Sequence, residues 1–156
     1  MGQSILLVDD EPSILKCVRR VLRPLEKNDI VILTSTSAEK AIELIKMHQI
    51  DVIVTDENMI GMSGTELLSW ITEHSPETKR IVLTGDNCIS TAKRAINEGG
   101  IDAFLTKPFK NSELIETVLS VIKAKDQETR LQAIQKTTIL ELSEKVEELI
   151  FPNSES

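Results

Sequence analysis

The 156-residue chain has no tyrosine, one tryptophan, two cysteines and two histidines, and each scarcity removes a class of function. Without tyrosine and with a single tryptophan there is no aromatic platform on which single-stranded bases could stack. Cys17 and Cys88 lie far apart, and with His48 and His74 as the other soft ligands no zinc site can be assembled, so both cysteines are expected as reduced thiols. No apolar run approaches the roughly 18 residues that a membrane span requires. Lysine plus arginine number 18 against 25 acids, a net charge of −7. No basic cluster offers the counterion-releasing surface that a phosphate backbone needs, so direct contact with nucleic acid or membrane is not expected. The start of the chain lacks the basic residues and cleavage site of a secretory signal, since Asp9, Asp10 and Glu11 cut short the apolar run at 5–8. A cytoplasmic location is the expectation.

What is present is an ordinary globular composition, 40% hydrophobic and 28% charged, with a repeating order of elements. An aliphatic run at 5–8 reads as a buried strand. A helix over 12–24 comes next, with Pro12 at a favoured first-turn position, Ile14, Leu15, Val18, Val21, Leu22 and Leu25 at helical spacing, and Pro24 near its stop. The alternation recurs at 30–33 and 37–48, at 52–55 and 64–74, at 80–84 and 89–98, and at 101–106 with a helix from 111 onward. Five β-α units with right-handed crossovers predict an α/β fold, a doubly wound five-stranded parallel sheet flanked by five helices, the last one extended. Ligands of such sheets collect at the carboxyl ends of the strands, where strand order reverses.

Residues 1–123 account for this domain, which leaves 124–156 as a helical extension or linker. From Asn111 to Ile150 there is neither proline nor glycine, and Ile139, Leu142, Val146 and Leu149 fall at 3-4-3 spacing. Between 124 and 137 Leu131 and Ile134 are the only large apolar residues, so pairing with another chain as a coiled coil stands beside folding back or fraying. Forty helical residues reach about 60 Å, well beyond the radius of a domain this size, and a homodimer through the distal stripe is the expected cover. A disordered tail is expected from about 151.

The strand ends carry the chemistry. Asp9 and Asp10 come after the first strand, Asp56 after the third, Thr84 after the fourth and Lys107 after the fifth. A single acid at a strand end is more often a turn residue, but this set converges on one sheet edge. At about 4 Å in an effective dielectric near 20, each pair of carboxylates repels by roughly 4 kcal/mol, so a cation must resolve the cluster. With oxygen ligands alone that cation is Mg²⁺. Asp56, placed before the loop at 57–63, can act as a nucleophile and form an acyl phosphate. Lys107 supplies an ammonium and Thr84 a hydroxyl for phosphoryl oxygens. The Lys107–Pro108 bond is expected to be cis, in a tight turn that aims Lys107 back over the sheet.

With these residues in hand, the sequence resembles the receiver domain of bacterial two-component response regulators, CheY-like, over residues 4 to about 123. The resemblance rests on ILLVDDEP at 5–12, VIVTDENM at 52–59 running on to MSG at 62–64, IVLTG at 81–85 and FLTKPF at 104–109. It implies a flavodoxin-like strand order 2-1-3-4-5. It further implies that Asp56 is the phosphoacceptor for a sensor histidine kinase, and that Asp9, Asp10, Asp56 and the Asn58 carbonyl hold Mg²⁺. Lys107 would contact the phosphoryl group, and Thr84 and Phe104 would be a switch pair remodelling the face of the fourth helix, fifth strand and fifth helix. Two positions depart from the family: Met59 is followed by Ile60 where Met-Pro is usual, and Gly85 is at the small end of the residues found after the switch threonine.

Such a chain is a phosphoacceptor switch with self-phosphorylation and self-dephosphorylation chemistry, not a turnover enzyme. A phosphatase of the haloacid-dehalogenase type would want Asp-x-Asp after the first strand, whereas Asp9 and Asp10 are adjacent. A receiver that only docks partners would not need the full acid, threonine and lysine set. Asn58 and Asp86, both small and polar, flank the water's approach to Asp56 and are expected to make the acyl phosphate short-lived. The output is a downstream protein or a fused output domain, reached through the changed surface or the long helix.

Overall fold

Apolar and β-branched runs build five strands: β1 (Gln3–Val8), β2 (Ile30–Ser35), β3 (Val52–Asp56), β4 (Lys79–Thr84) and β5 (Ala103–Thr106). They belong to a computed structural model that describes residues 2–85, 90, 93 and 100–152. The strands form one sheet in the order β2-β1-β3-β4-β5, and every neighbouring pair is parallel. Parallel strands buried on both faces need apolar side chains at every position. Accordingly Ile5, Leu6, Leu7, Val52, Ile53 and Val54 are all at most 2% exposed.

The two-residue period of a strand divides these side chains between two cores. Ile5, Leu7, Val52, Val54, Ile81 and Leu83 face Leu15, Val18 and Leu22 of α1 (Pro12–Leu22) and Leu114 and Val118 of α4 (Asn111–Ile150). Leu6, Val8, Ile53 and Val82 point the other way, onto Ala38 and Ala41 of α2 (Ala38–Met47) and Leu67, Leu68 and Ile71 of α3 (Gly64–His74). Helices therefore cover both faces, and the chain leaves β1 toward β2 on one side and returns to β3 on the other. That reversal opens a crevice at the carboxyl ends of β1 and β3.

Local chemistry sets the boundaries. Ser37 caps α2 by accepting the Lys40 amide at 3.2 Å. At α3 Ser63 and Glu66 form a reciprocal capping box. The helix expected over 12–24 ends as an α-helix at Leu22 and continues as a 3₁₀ segment, Arg23–Asn28, because Pro24 has no amide to extend the α ladder yet fits a 3₁₀ turn. Asp29 then turns the chain with φ 61°, in the left-handed region. The fifth strand starts at Ala103, two residues later than expected. Of the helix expected over 89–98 only Ser90 and Lys93 are among the described residues, both helical, and of the tail expected from about 151 only Phe151 and Pro152 are; the long helix is α4.

The chain divides into two compact units, Met1–Ile122 and Lys123–Ser156. Within the first, α4 contributes Leu114, Val118, Val121 and Ile122 to a core. Within the second, the large apolar side chains from Leu131 to Phe151 are 50–82% exposed. No helix among the described residues is long and apolar enough to cross a membrane.

The start of α3 lies directly against the last residues of β3. A Cβ at Gly64 would collide with the carbonyl oxygen of Asp56, and the Gly64 amide donates to the Glu57 carbonyl at 3.0 Å. Ser63→Ala should cost about 1 kcal/mol by loss of the cap, and Gly64→Ala should cost more because backbone must move. Urea unfolding of the two variants checks this; an equal or smaller loss for Gly64→Ala would contradict the contact.

Candidate functional site

Asp9 is the first residue past β1 and Asp56 the last of β3, so the sheet register brings them to the same level of the crevice. Carboxylate oxygens of Asp9, Asp10 and Asp56 all lie within 4.8 Å of one another. Asp9 is 3% and Asp56 7% exposed, and Asp10 is half-buried. Backbone amides and one lysine hold the three in place. The Glu11 amide donates to Asp9 Oδ1 at 2.9 Å and the Ile60 amide to Asp10 Oδ2 at 2.9 Å. Lys107 Nζ donates to Asp56 Oδ1 at 2.6 Å. The second oxygen of Asp9, Oδ2, is buried without a hydrogen-bond partner. Burial pushes the Asp9 carboxyl above its ordinary value, as do the charges of Asp56 and Asp10, while the Glu11 amide and Lys107 oppose the shift.

Lys107 reaches Asp56 because β5 runs beside β4 and its next residue is tied back. The Lys107 amide donates to the Thr84 carbonyl at 2.8 Å, and the Lys107–Pro108 bond is cis, as expected. The lysine side chain stays partly open, 36% exposed against 11% for that of Asp56.

Thr84 is 1% exposed, and its hydroxyl already has an acceptor: it donates to Glu57 Oε2 at 2.6 Å. Sequence reasoning gave Glu57 no role. The signal lay in the register, for Asp56 pairs with Leu83, the next step places Glu57 beside Thr84, and the Glu57 amide donates to the Leu83 carbonyl at 3.1 Å. Phe104 sits on β5 opposite Val82, half-buried against the core that contains Leu67 and Ile71. Asn58 is exposed in the loop after β3, and the neighbouring Ile60 is 88% exposed ahead of Gly61, whose φ of 81° suits glycine. Asp86 lies outside the described residues. The structure thus brings Asp9, Asp10 and Asp56 within 4.8 Å of one another with Lys107 on Asp56, while Thr84 donates to Glu57, the residue after Asp56.

The donor set fits a hard divalent cation. Its ligands are all oxygens, and a buried carboxylate oxygen with nothing to bind is the atom such an ion would satisfy.

A doubly wound parallel sheet with an acidic cluster and an opposed lysine at its carboxyl edge defines a class of phosphate-handling α/β domains, and comparison with known proteins narrows it. The model of the response regulator receiver domain matches residues 5–119. The transcriptional regulatory protein YvrH of Bacillus subtilis is 37% identical over 120 residues, 77% of this chain and 49% of YvrH. The hydrogenase transcriptional regulatory protein HoxA of Cupriavidus necator is 33% identical over 121 residues, 78% of this chain and 24% of HoxA. A solved structure described as adenylate cyclase from Rhodopirellula baltica is 34% identical with a TM-score of 0.79, covering 87% of this chain and 98% of that one. The chain belongs to the response regulator receiver domain family, the signalling switches of two-component systems. It spans about a quarter to a half of the length of the curated relatives it matches.

Because the raised pKa of Asp9 makes its ionisation in the folded chain costly, that cost is absent at low pH and grows as pH rises through the raised value. Without divalent cation, Asp9→Asn should match the wild type in stability at low pH and exceed it increasingly as pH rises. Mg²⁺ should raise the wild-type melting temperature and leave that of Asp9→Asn nearly unchanged. Thermal unfolding across pH, with and without Mg²⁺, checks both; a gap that closes with rising pH would contradict the account.

Proposed function

We propose that Asp56 accepts a phosphoryl group from the phosphohistidine of a sensor kinase in a reaction that requires Mg²⁺, and that the chain works as a switch and not as a turnover enzyme. The observation that carries this reading is Lys107 Nζ at 2.6 Å from Asp56 Oδ1, beside Asp9 Oδ2 buried with no partner. The Asp56 oxygen not held by Lys107 attacks phosphorus, the bond to the donor nitrogen breaks, and the imidazole leaves with the electron pair. Asp9, Asp10, Asp56 and the Asn58 carbonyl would hold Mg²⁺, which supplies charge neutralisation for the transferring group. Lys107 exchanges its carboxylate partner for a phosphoryl oxygen without leaving the site.

Switching then concerns the Thr84 hydroxyl. It has Glu57 as acceptor, and an acyl phosphate at Asp56 offers a more highly charged one. Transfer of that hydrogen bond vacates space for the Phe104 ring, which changes the surface formed by β5 and the root of α4. The partners are a histidine kinase upstream and, downstream, a protein or fused output domain, in the cytoplasm. YvrH and HoxA are named as transcriptional regulators and the Rhodopirellula chain as an adenylate cyclase, so the outputs of similar chains differ in kind.

Intact mass spectrometry after incubation with acetyl phosphate and Mg²⁺ tests the assignment. Wild type should take up one phosphoryl group, Asp56→Asn none, and Lys107→Ala should react on the order of 100-fold more slowly, as expected for loss of one charge-stabilising donor. Equal uptake by wild type and Asp56→Asn would overturn the reading. Asn58→Leu and Asp86→Leu should lengthen the life of the acyl phosphate by walling out water; release at the wild-type rate from both would show that neither side chain admits the hydrolytic water.

A further inference from the structure

Outside the site, the largest unexplained feature is the apolar side chains along the distal part of α4. Leu131, Ile134, Leu142, Val146 and Leu149 are each 50–82% exposed. At 100° per residue these five and Thr138 fall on one face of the helix. Leu140 lies on the opposite face and Ile139 on the flank. Their steps are 3, 4, 4, 4 and 3 residues, a spacing that reads the same in both directions about position 140. An eleven-residue interval from Leu131 to Leu142 is close to the natural period of a straight helix, so the stripe does not drift around the surface.

We propose that this face is covered by the same segment of a second copy of the chain, in antiparallel orientation, about a two-fold axis level with Leu140. The palindromic spacing then sets Leu131 against Leu149 of the other copy, Ile134 against Val146 and Thr138 against Leu142. A two-fold interface of this kind is self-complementary and closes at two chains.

Apolar spacing alone would also admit a parallel pair. Charge decides between them. Residues 128–139 carry Arg130 and Lys136 against Glu128, a net charge of +1, whereas residues 141–150 carry Glu141, Glu144, Glu147 and Glu148 against Lys145, a net charge of −3. A parallel pair would lay each acidic half beside its own copy, a like-charge juxtaposition. The antiparallel pair lays it beside the basic half. Arg130 and Glu148 occupy the same flank of the stripe, one residue before Leu131 and Leu149 respectively, and so meet across the axis. Within its own chain the Arg130 guanidinium lies 3.0 Å from Asp126, an exposed pair that competes weakly with a partner glutamate. The pairing uses no residue of the acidic site and stands or falls independently of the phosphoacceptor reading.

Sedimentation of the full chain should give a dimer at micromolar concentration, and Ile134→Glu or Val146→Glu, each on an exposed helical position, should give a monomer with an unchanged fold by circular dichroism. Orientation is read by disulfide formation in a chain carrying Cys17→Ser and Cys88→Ser. Leu131→Cys and Leu149→Cys chains should form a mixed disulfide when combined under mild oxidation, and neither should link to itself. Should that background fold poorly, charge exchange in the native chain serves instead: Arg130→Glu should weaken the dimer by about twofold to fivefold at low salt, and adding Glu148→Arg should restore it. A monomeric wild type, or efficient self-linking of Leu149→Cys, would overturn the proposal.

Discussion

Carboxylates brought within 4.8 Å of one another at the ends of β1 and β3 persist only if their charge is met, and most of the local architecture serves that need. Like charges at this separation repel by a few kcal/mol for each pair. Backbone amides of Glu11 and Ile60 take up one oxygen each of Asp9 and Asp10, and the Lys107 ammonium takes one of Asp56. Buried Asp9 Oδ2 is left over. The fold gains nothing from this arrangement as a matter of stability, since apolar residues at the same strand ends would carry no desolvation cost. A cluster retained against its own electrostatics belongs to function, and membership of the receiver family gives that function its class.

The parts of the fold legible in the sequence are those in which one physical rule acts alone. Strands buried on both faces must be apolar throughout, so β1, β3 and β4 stand out as runs, and the helix expected over 64–74 is found as α3, Gly64–His74. Strand ends come with the runs, and with them the positions of Asp9, Asp10, Asp56, Thr84 and Lys107. What could not be read were consequences of pairing. Glu57 meets Thr84 because β3 and β4 align in one register, which local pattern does not encode. Gly64 is needed because the start of α3 touches the last carbonyl of β3, a tertiary contact invisible from composition. The 3₁₀ segment after α1 was hidden because Pro24 stops the α ladder without dictating the conformation of the next turn.

One helix serves two kinds of environment. Leu114 and Val118 of α4 are fully buried, and the same helix carries Leu142 and Leu149 at 56% and 82% exposure. The receiver family model ends at residue 119, so the distal residues answer to constraints other than the phosphate site. Lacking proline and glycine, α4 runs unbroken across the boundary between the two compact units, and its backbone hydrogen bonds are continuous there.

The hydrogen bond from the Ile60 amide to Asp10 Oδ2 gives the acidic cluster a handle on the surface. Ile60 follows Met59 where the proline of the family's usual Met-Pro would have removed that donor, since proline has no N–H to give. Its side chain is 88% exposed, more than any other large apolar side chain among the described residues. The amide of this apolar knob is thus bonded directly to one of the three clustered carboxylates. One hydrogen bond in this way ties a hydrophobic group in plain view of the solvent to an acid of the half-buried site.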